Sequence, residues 1–103
     1  MKAVQIVKPE QLEIVELEKP KIDNKNNVLI KMTAAGICGS DVGIYHGTNA
    51  AATYPRIIGH EIVGKVEEVG TDVQNLKPGD RVIVNQVTSC GQCYPCKKGR
   101  GNV

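Results

Sequence analysis

Two groups of residues have the types and spacing to do chemistry. The first is Gly36-Ile37-Cys38-Gly39-Ser40-Asp41, answered further along by Gly59-His60-Glu61. A thiol, an imidazole and two carboxylates set among glycines, at the ends of apolar runs, are what an open metal site needs. A catalytic zinc keeps one position free for substrate, so about three protein ligands are expected, and Cys38 and His60 would be two of them. Asp41 could fix the tautomer of His60 by accepting its other ring N–H, and Ser40 could take a proton from a hydroxyl brought to the metal. Taken singly these residues have plainer readings, with Cys38 a small buried hydrophobe, His60 a loop histidine and Asp41 a helix cap.

The second group is Cys90-x2-Cys93-x2-Cys96, three thiols on a tight loop that can converge on one ion. Soft thiolates favour zinc or an iron–sulfur cluster. The bacterial ferredoxin run would put its fourth cysteine where Arg100 stands, and the plant-type spacing fits no better, so zinc is preferred. A closed structural zinc site needs four ligands and this loop supplies three, with seven residues remaining after Cys96, which predicts truncation before the fourth. Lys97, Lys98 and Arg100 either offset the charge of the thiolates or form a solvated basic loop.

The elements that must position these groups are short strands. Lys2 to Lys8 and Leu12 to Leu17 alternate and are closed by Pro9-Glu10 and Lys19-Pro20, which predicts two antiparallel strands. After the polar loop Asp23 to Asn27, the run Val28 to Ala35 is the strongest strand signal and delivers the backbone to Gly36 and Cys38. Ser40 to Tyr45 suits one helical turn, with Thr48 to Tyr54 as loop. Ile62 to Val69 reads as a strand in which Gly64 marks a bulge or a close backbone approach. Lys77-Pro78-Gly79-Asp80 has the residues of a type II turn, Arg81 to Val84 starts another strand, and from Ser89 onward the composition is that of a loop. Several short strands with Gly and Pro punctuation argue an all-β barrel or sandwich-like domain.

Composition bounds the remaining possibilities. The length of 103 residues suits a single domain over 1–103 with one core, built from Val, Ile, Leu and Ala because there are three Tyr and no Phe or Trp. A net charge of +2 and the scattered tyrosines offer no basic stripe or stacking platform for nucleic acid. No apolar run approaches the roughly 18 residues of a spanning helix, which argues against a membrane. The N-terminus lacks the apolar core and cleavage site of a secretory signal, so the expected location is the cytoplasm, where the four cysteines stay reduced.

On Gly36 to Asp41, Gly59-His60-Glu61, Lys77-Pro78-Gly79-Asp80-Arg81-Val82 and the Cys90, Cys93, Cys96 lobe, in that order and over the whole chain, the sequence resembles the zinc-dependent medium-chain alcohol and polyol dehydrogenases. The resemblance implies a GroES-like N-terminal catalytic domain, mainly β, a partly open barrel with few short helices, lacking the Rossmann domain that binds NAD or NADP. It implies Cys38 and His60 as catalytic-zinc ligands, Asp41 behind His60, and Ser40 on the alcohol hydroxyl at the head of the proton relay. Glu61 is implied as an alternate ligand or electrostatic tuner, and Cys90, Cys93 and Cys96 as three structural-zinc ligands, giving two zinc ions per parent subunit.

The implied reaction is oxidation of a secondary alcohol, polyol or sugar-derived hydroxyl with hydride transfer to the nicotinamide, in a homo-oligomeric parent. Many family members have a relay histidine where this sequence has Gly43, and His46 is a possible substitute, although a solvated loop histidine is the better reading. Ser40-Asp41-Val42 after Cys38-Gly39 resembles the polyol and threonine dehydrogenases. No G-x-G-x-x-G stands among the glycines, so the 103 residues alone are expected to be inactive. The competing readings are a stand-alone zinc-binding interaction module, resting on the cysteine loop and basic tail, and a metal-free GroES-like reductase.

Overall fold

The N-terminal alternation folds as an antiparallel hairpin of β1 (Lys2–Lys8) and β2 (Gln11–Glu16) in the computed structural model, which describes residues 1–101. Val4 stands opposite Ile14 and Ile6 opposite Leu12, so one hairpin face is aliphatic. Its turn reverses through Glu10 at φ 66, a left-handed conformation unusual for a residue with a side chain.

The second sheet carries the chemistry. β3 (Val28–Gly36) pairs antiparallel with β4 (Glu61–Val69) from Val28 opposite Val69 to Gly36 opposite Glu61, and β4 pairs with β5 (Arg81–Ile83). β3 therefore ends where Cys38 is needed, and β4 begins one residue after His60. The β3–β4 register slips twice, between Leu29 and Ile30 and between Met32 and Ala34. Gly64 sits inside this pairing, and a methyl group there would come within 2.6 Å of both Ile30 Cγ2 and the Lys31 carbonyl oxygen. The close approach expected at Gly64 is thus present. The turn before β5 is also as expected, with Gly79 at φ 96 and the Asp80 N–H donating to the Lys77 carbonyl at 3.1 Å.

Two short helices complete the described residues. α1 (Gly39–Tyr45) starts from Cys38 as its capping residue, and α2 (Tyr94–Lys97) is a single turn starting from Cys93. The second corrects the reading of everything after Ser89 as loop. Pro95 in its first turn explains the difference, because a proline there has its backbone angle preset and gives up only an N–H that the helix leaves unpaired.

The architecture is mainly β and open. The hairpin is tied to the loop that precedes β4 by an isolated bridge, where Ile6 and Arg56 exchange backbone hydrogen bonds of 2.8 and 2.9 Å, and no closed barrel forms among the described residues. The aliphatic composition predicts a fuller core than this arrangement supplies. Ile6 and Val66 are its buried hydrophobic residues, while Ile14 is 75% exposed and Ile83 82%. A two-stranded and a three-stranded sheet are too small to cover each other's apolar faces. No helix among the described residues is long and apolar enough to cross a membrane.

Candidate metal centre

Strand pairing brings the two expected ligands together. Cys38 Sγ lies 3.0 Å from His60 Nε2, and the Ser40 hydroxyl is 2.8 Å from the same sulfur. Asp41, only 3% exposed, works from inside the first turn of α1. Its Oδ2 accepts the Cys38 backbone N–H at 3.0 Å, which makes it the cap the plainer reading expected. Its Oδ1 stands 3.5 Å from His60 Nδ1 and has no hydrogen-bond partner.

That orphaned oxygen tests whether the residues suit a metal. A buried carboxylate oxygen without a partner is costly, and the group it faces is one nitrogen of an imidazole whose other nitrogen faces a thiol. With the proton on Nδ1, toward Asp41, the Nε2 lone pair is free on the Cys38 side. A cation held there by Cys38 and His60 would strengthen the Nδ1–H donor and compensate the buried charge. The ligating atoms of Cys38, Asp41 and His60 lie within 4.8 Å of one another, but Asp41 is spent on the Cys38 N–H and on the far side of the ring. The donor set fits zinc with Asp41 behind the ligand rather than on the ion.

Other expected residues fall outside this group. The Glu61 carboxylate is not among the gathered donors; it lies against Gly36, across the end of the β3–β4 pair. Gly43 leaves no side chain in α1 that could pass a proton on from Ser40. His46 caps the C-terminal end of α1, six residues and roughly 9 Å along the helix from Ser40. Its Nδ1 pairs with Glu10 Oε1 at 2.6 Å, so the surface reading holds and the relay reading does not.

The second cluster also assembles. Cys93 Sγ is 3.3 Å from Cys96 Sγ, Cys90 Sγ is 4.0 Å from Cys96 Sγ, and the Cys93 N–H points at Cys90 Sγ at 3.3 Å. Sulfurs bound at about 2.3 Å to one tetrahedral zinc stand roughly 3.8 Å apart, so three corners of such a site are nearly formed. Lys98 lies over the Tyr94 ring at 5.9 Å, which ties one cation of the basic tail to the loop rather than to the thiols.

The Cys90 thiol is pulled down from 9.0 to about 7, first by the backbone N–H of Gln92, then by that of Cys93 and the Cys93 side chain. A depressed thiol favours the folded, deprotonated form above its titration point and loses that preference as pH falls through about 7. In chelator-treated protein, iodoacetamide is therefore expected to label Cys90 several-fold faster than Cys93 or Cys96, with a rate midpoint near pH 7. Mass spectrometry of the labelled peptide checks this. Equal labelling of the three, or a midpoint in the ordinary thiol range, contradicts it.

Sequence reasoning missed the cleft beside the candidate metal ligands. About 600 Å³ in volume, it is lined by His60 and Glu61, by Ala34, Val63 and Ile83 from the three-stranded sheet, and by Asn85 and Gln86 beyond β5. Periodicity reads Ile83 as an ordinary strand residue and gives no sign that its face of β5 borders a cleft.

Comparison with known proteins agrees with the geometry. Residues 24–103 match the alcohol dehydrogenase GroES-like domain. A zinc-type alcohol dehydrogenase-like protein of Haemophilus influenzae is 50% identical over 99% of this chain and 30% of its own length. The sorbitol dehydrogenase of Bacillus subtilis is 42% identical over 100% of this chain and 30% of its own. The crystal structure of the alcohol dehydrogenase rspB from Escherichia coli CFT073, complexed with the cofactor NADH, superposes with a TM-score of 0.81 at 47% identity, covering 98% of this chain and 29% of that one. The chain thus spans about 30% of the length of these relatives. With the family model matched over residues 24–103 and relatives this similar along the whole chain, the chain belongs to the alcohol dehydrogenase GroES-like domain family.

Proposed function

We propose that these residues are the catalytic-domain part of a zinc-dependent, NAD(P)-linked dehydrogenase that oxidises a secondary alcohol, a polyol or a sugar-derived hydroxyl. The observation that carries this is the Cys38–His60 pair at 3.0 Å with the buried Asp41 oxygen behind the imidazole. Zinc, when bound, supplies Lewis acidity that makes a hydroxyl easier to deprotonate. The remaining roles belong to the chain. Asp41 holds the proton on His60 Nδ1 and keeps Nε2 a ligand. Ser40 Oγ, beside the Cys38 sulfur, receives the hydroxyl proton, and Gly43 leaves the onward transfer from Ser40 to solvent. The apolar cleft wall of Ala34, Val63 and Ile83 takes the carbon skeleton, and the Asn85 and Gln86 amides take further hydroxyls. Cys90, Cys93 and Cys96 hold a second, structural zinc with one more ligand.

The partial coverage of the relatives supports a longer protein in which a dinucleotide-binding domain brings NAD or NADP to the cleft. A homo-oligomer in the cytoplasm accords with that reading and with thiols kept reduced for metal. The stand-alone zinc-binding module is set aside, because the dehydrogenase similarity covers residues 24–103 and is not confined to the cysteine lobe. The test is an assay of the longer protein on a panel of polyols and secondary alcohols. Formation of NADH or NADPH that a chelator abolishes and zinc restores is expected, with no turnover by the 103 residues alone. Chelator-resistant turnover, or turnover by the 103 residues, refutes the reading.

A further inference from the structure

The sulfurs of Cys93 and Cys96 stand closer together than a metal site asks. They are 3.3 Å apart, inside the roughly 3.8 Å edge of a tetrahedral zinc–thiolate site, whereas Cys90 Sγ is 4.0 Å from Cys96 Sγ. The start of α2 causes this approach. Cys93 is the capping residue, in extended backbone at φ -71 and ψ 166, and Cys96 is the third residue of the helix, so the cap side chain folds back over the first turn onto it. Residues three apart at a helix start have Cα atoms roughly 5 Å apart, within the span that a disulfide bridges without backbone movement. Pro95 presets the backbone between the two, and the Lys97 N–H closes the turn on the Cys93 carbonyl at 3.0 Å. Cys90 is engaged differently, its sulfur accepting the Cys93 backbone N–H at 3.3 Å. Cys93 is exposed and Cys96 half-buried, so a small oxidant reaches the pair.

We propose that Cys93 and Cys96 are a dithiol–disulfide couple, oxidised by a hydroperoxide, with Cys90 left as the free thiol of the loop. A Cys-x-x-Cys pair at such a turn is the general arrangement for thiol–disulfide chemistry. With hydrogen peroxide, one sulfur of the pair attacks the O–O bond, which breaks as the S–O bond forms, giving a sulfenic acid and one water. The second sulfur attacks the first, the S–S bond forms, the S–O bond breaks and a second water leaves. Two electrons pass from the sulfurs to the peroxide, and the two thiol protons end in the two waters. A sulfur in a disulfide is no longer a thiolate, so the bridge and the zinc proposed for this loop exclude each other. That exclusion rests on the structural-zinc reading above; the couple itself does not.

Hydrogen peroxide added to the full chain, reduced and freed of metal by a chelator, tests the couple when the remaining thiols are blocked with N-ethylmaleimide and mapped by mass spectrometry without reduction. A Cys93–Cys96 bridge is expected, with the blocking group on Cys90 in about tenfold more chains than on Cys93 or Cys96. Dithiothreitol reverses it. Cys90→Ser is expected to keep the bridge, and Cys93→Ser and Cys96→Ser each to lower bridging about tenfold. Blocking spread evenly over the three cysteines, a bridge to Cys90 in the wild type, or sulfinic acid with no bridge overturns the couple. Zinc added before the peroxide is expected to slow bridging about tenfold. If the bridge maps to Cys93 and Cys96 and zinc leaves its rate unchanged, the couple stands and the structural-zinc reading falls.

Discussion

Asp41→Asn is expected to lower zinc affinity at the Cys38–His60 centre by about 10–100-fold while leaving the fold close to wild type. The substitution keeps the shape of the side chain, so its remaining oxygen can still accept the Cys38 N–H that caps α1. Its amide nitrogen then faces His60 Nδ1, where Asp41 Oδ1 now stands 3.5 Å away. A donor facing Nδ1 favours the tautomer with the proton on Nε2, and that proton occupies the lone pair a metal needs. Asp41→Ala separates the two roles, since it also removes the cap and costs about 0.5–2 kcal/mol of stability. A chelator-competition titration reads the affinity, and 15N spectra of the His60 ring read the tautomer directly. Unchanged zinc affinity in Asp41→Asn, with the Nδ1–H tautomer retained, would remove Asp41 from the metal centre and leave it a helix cap.

Most of what positions that centre was legible in the sequence, for identifiable reasons. The strand from Val28 is a run of apolar and β-branched residues bounded by an Asn-rich loop and a glycine, so its length and end were set locally, and the end fixes Cys38. The type II turn at Lys77 to Asp80 was legible because Pro78 and Gly79 each have one backbone preference. α2 was not, since four residues are too few for a periodicity and the stretch from Ser89 onward reads as ligand loop by composition.

The site shows the same division. Cys38, His60 and Asp41 were identified by residue type and glycine context, which is local information. That Glu61 would lie against Gly36 instead of joining the donors depends on which residues oppose each other at the end of β3 and β4, and register is set by long-range pairing. The thin core was illegible for a related reason: composition reports how much apolar surface exists, whereas two small open sheets decide how little of it is covered.

Because so little is covered, a fault in the β3–β4 pairing has a large effect, and Gly64→Ala is the sharpest single way to make one. The new methyl would meet the Lys31 carbonyl oxygen and Ile30 Cγ2, each at 2.6 Å, and the carbonyl belongs to the strand that Gly64 pairs with. A side chain can rotate away from such a contact, but a paired backbone oxygen moves only with its strand. Overpacking of this kind costs about 1–3 kcal/mol. A chain of this length has small reserves, set by roughly 0.05–0.15 kcal/mol per residue, and a core in which Ile6 and Val66 are the buried aliphatics among the described residues places it at the low end. Gly64→Ala is therefore expected to lower the urea midpoint strongly, and Ile30→Ala in the same chain to restore little, since the carbonyl contact remains. The loss also reaches the metal: β3 delivers Cys38 and β4 starts beside His60, so weaker pairing loosens the 3.0 Å approach of their ligand atoms. Zinc at about 100 times its dissociation constant would return roughly 2.7 kcal/mol to a chain whose ligands still converge. A midpoint equal to wild type in Gly64→Ala shows that β3 and β4 tolerate a side chain at their closest approach. A lowered midpoint that zinc raises shows that the pairing of these strands and the joining of Cys38 to His60 are one equilibrium.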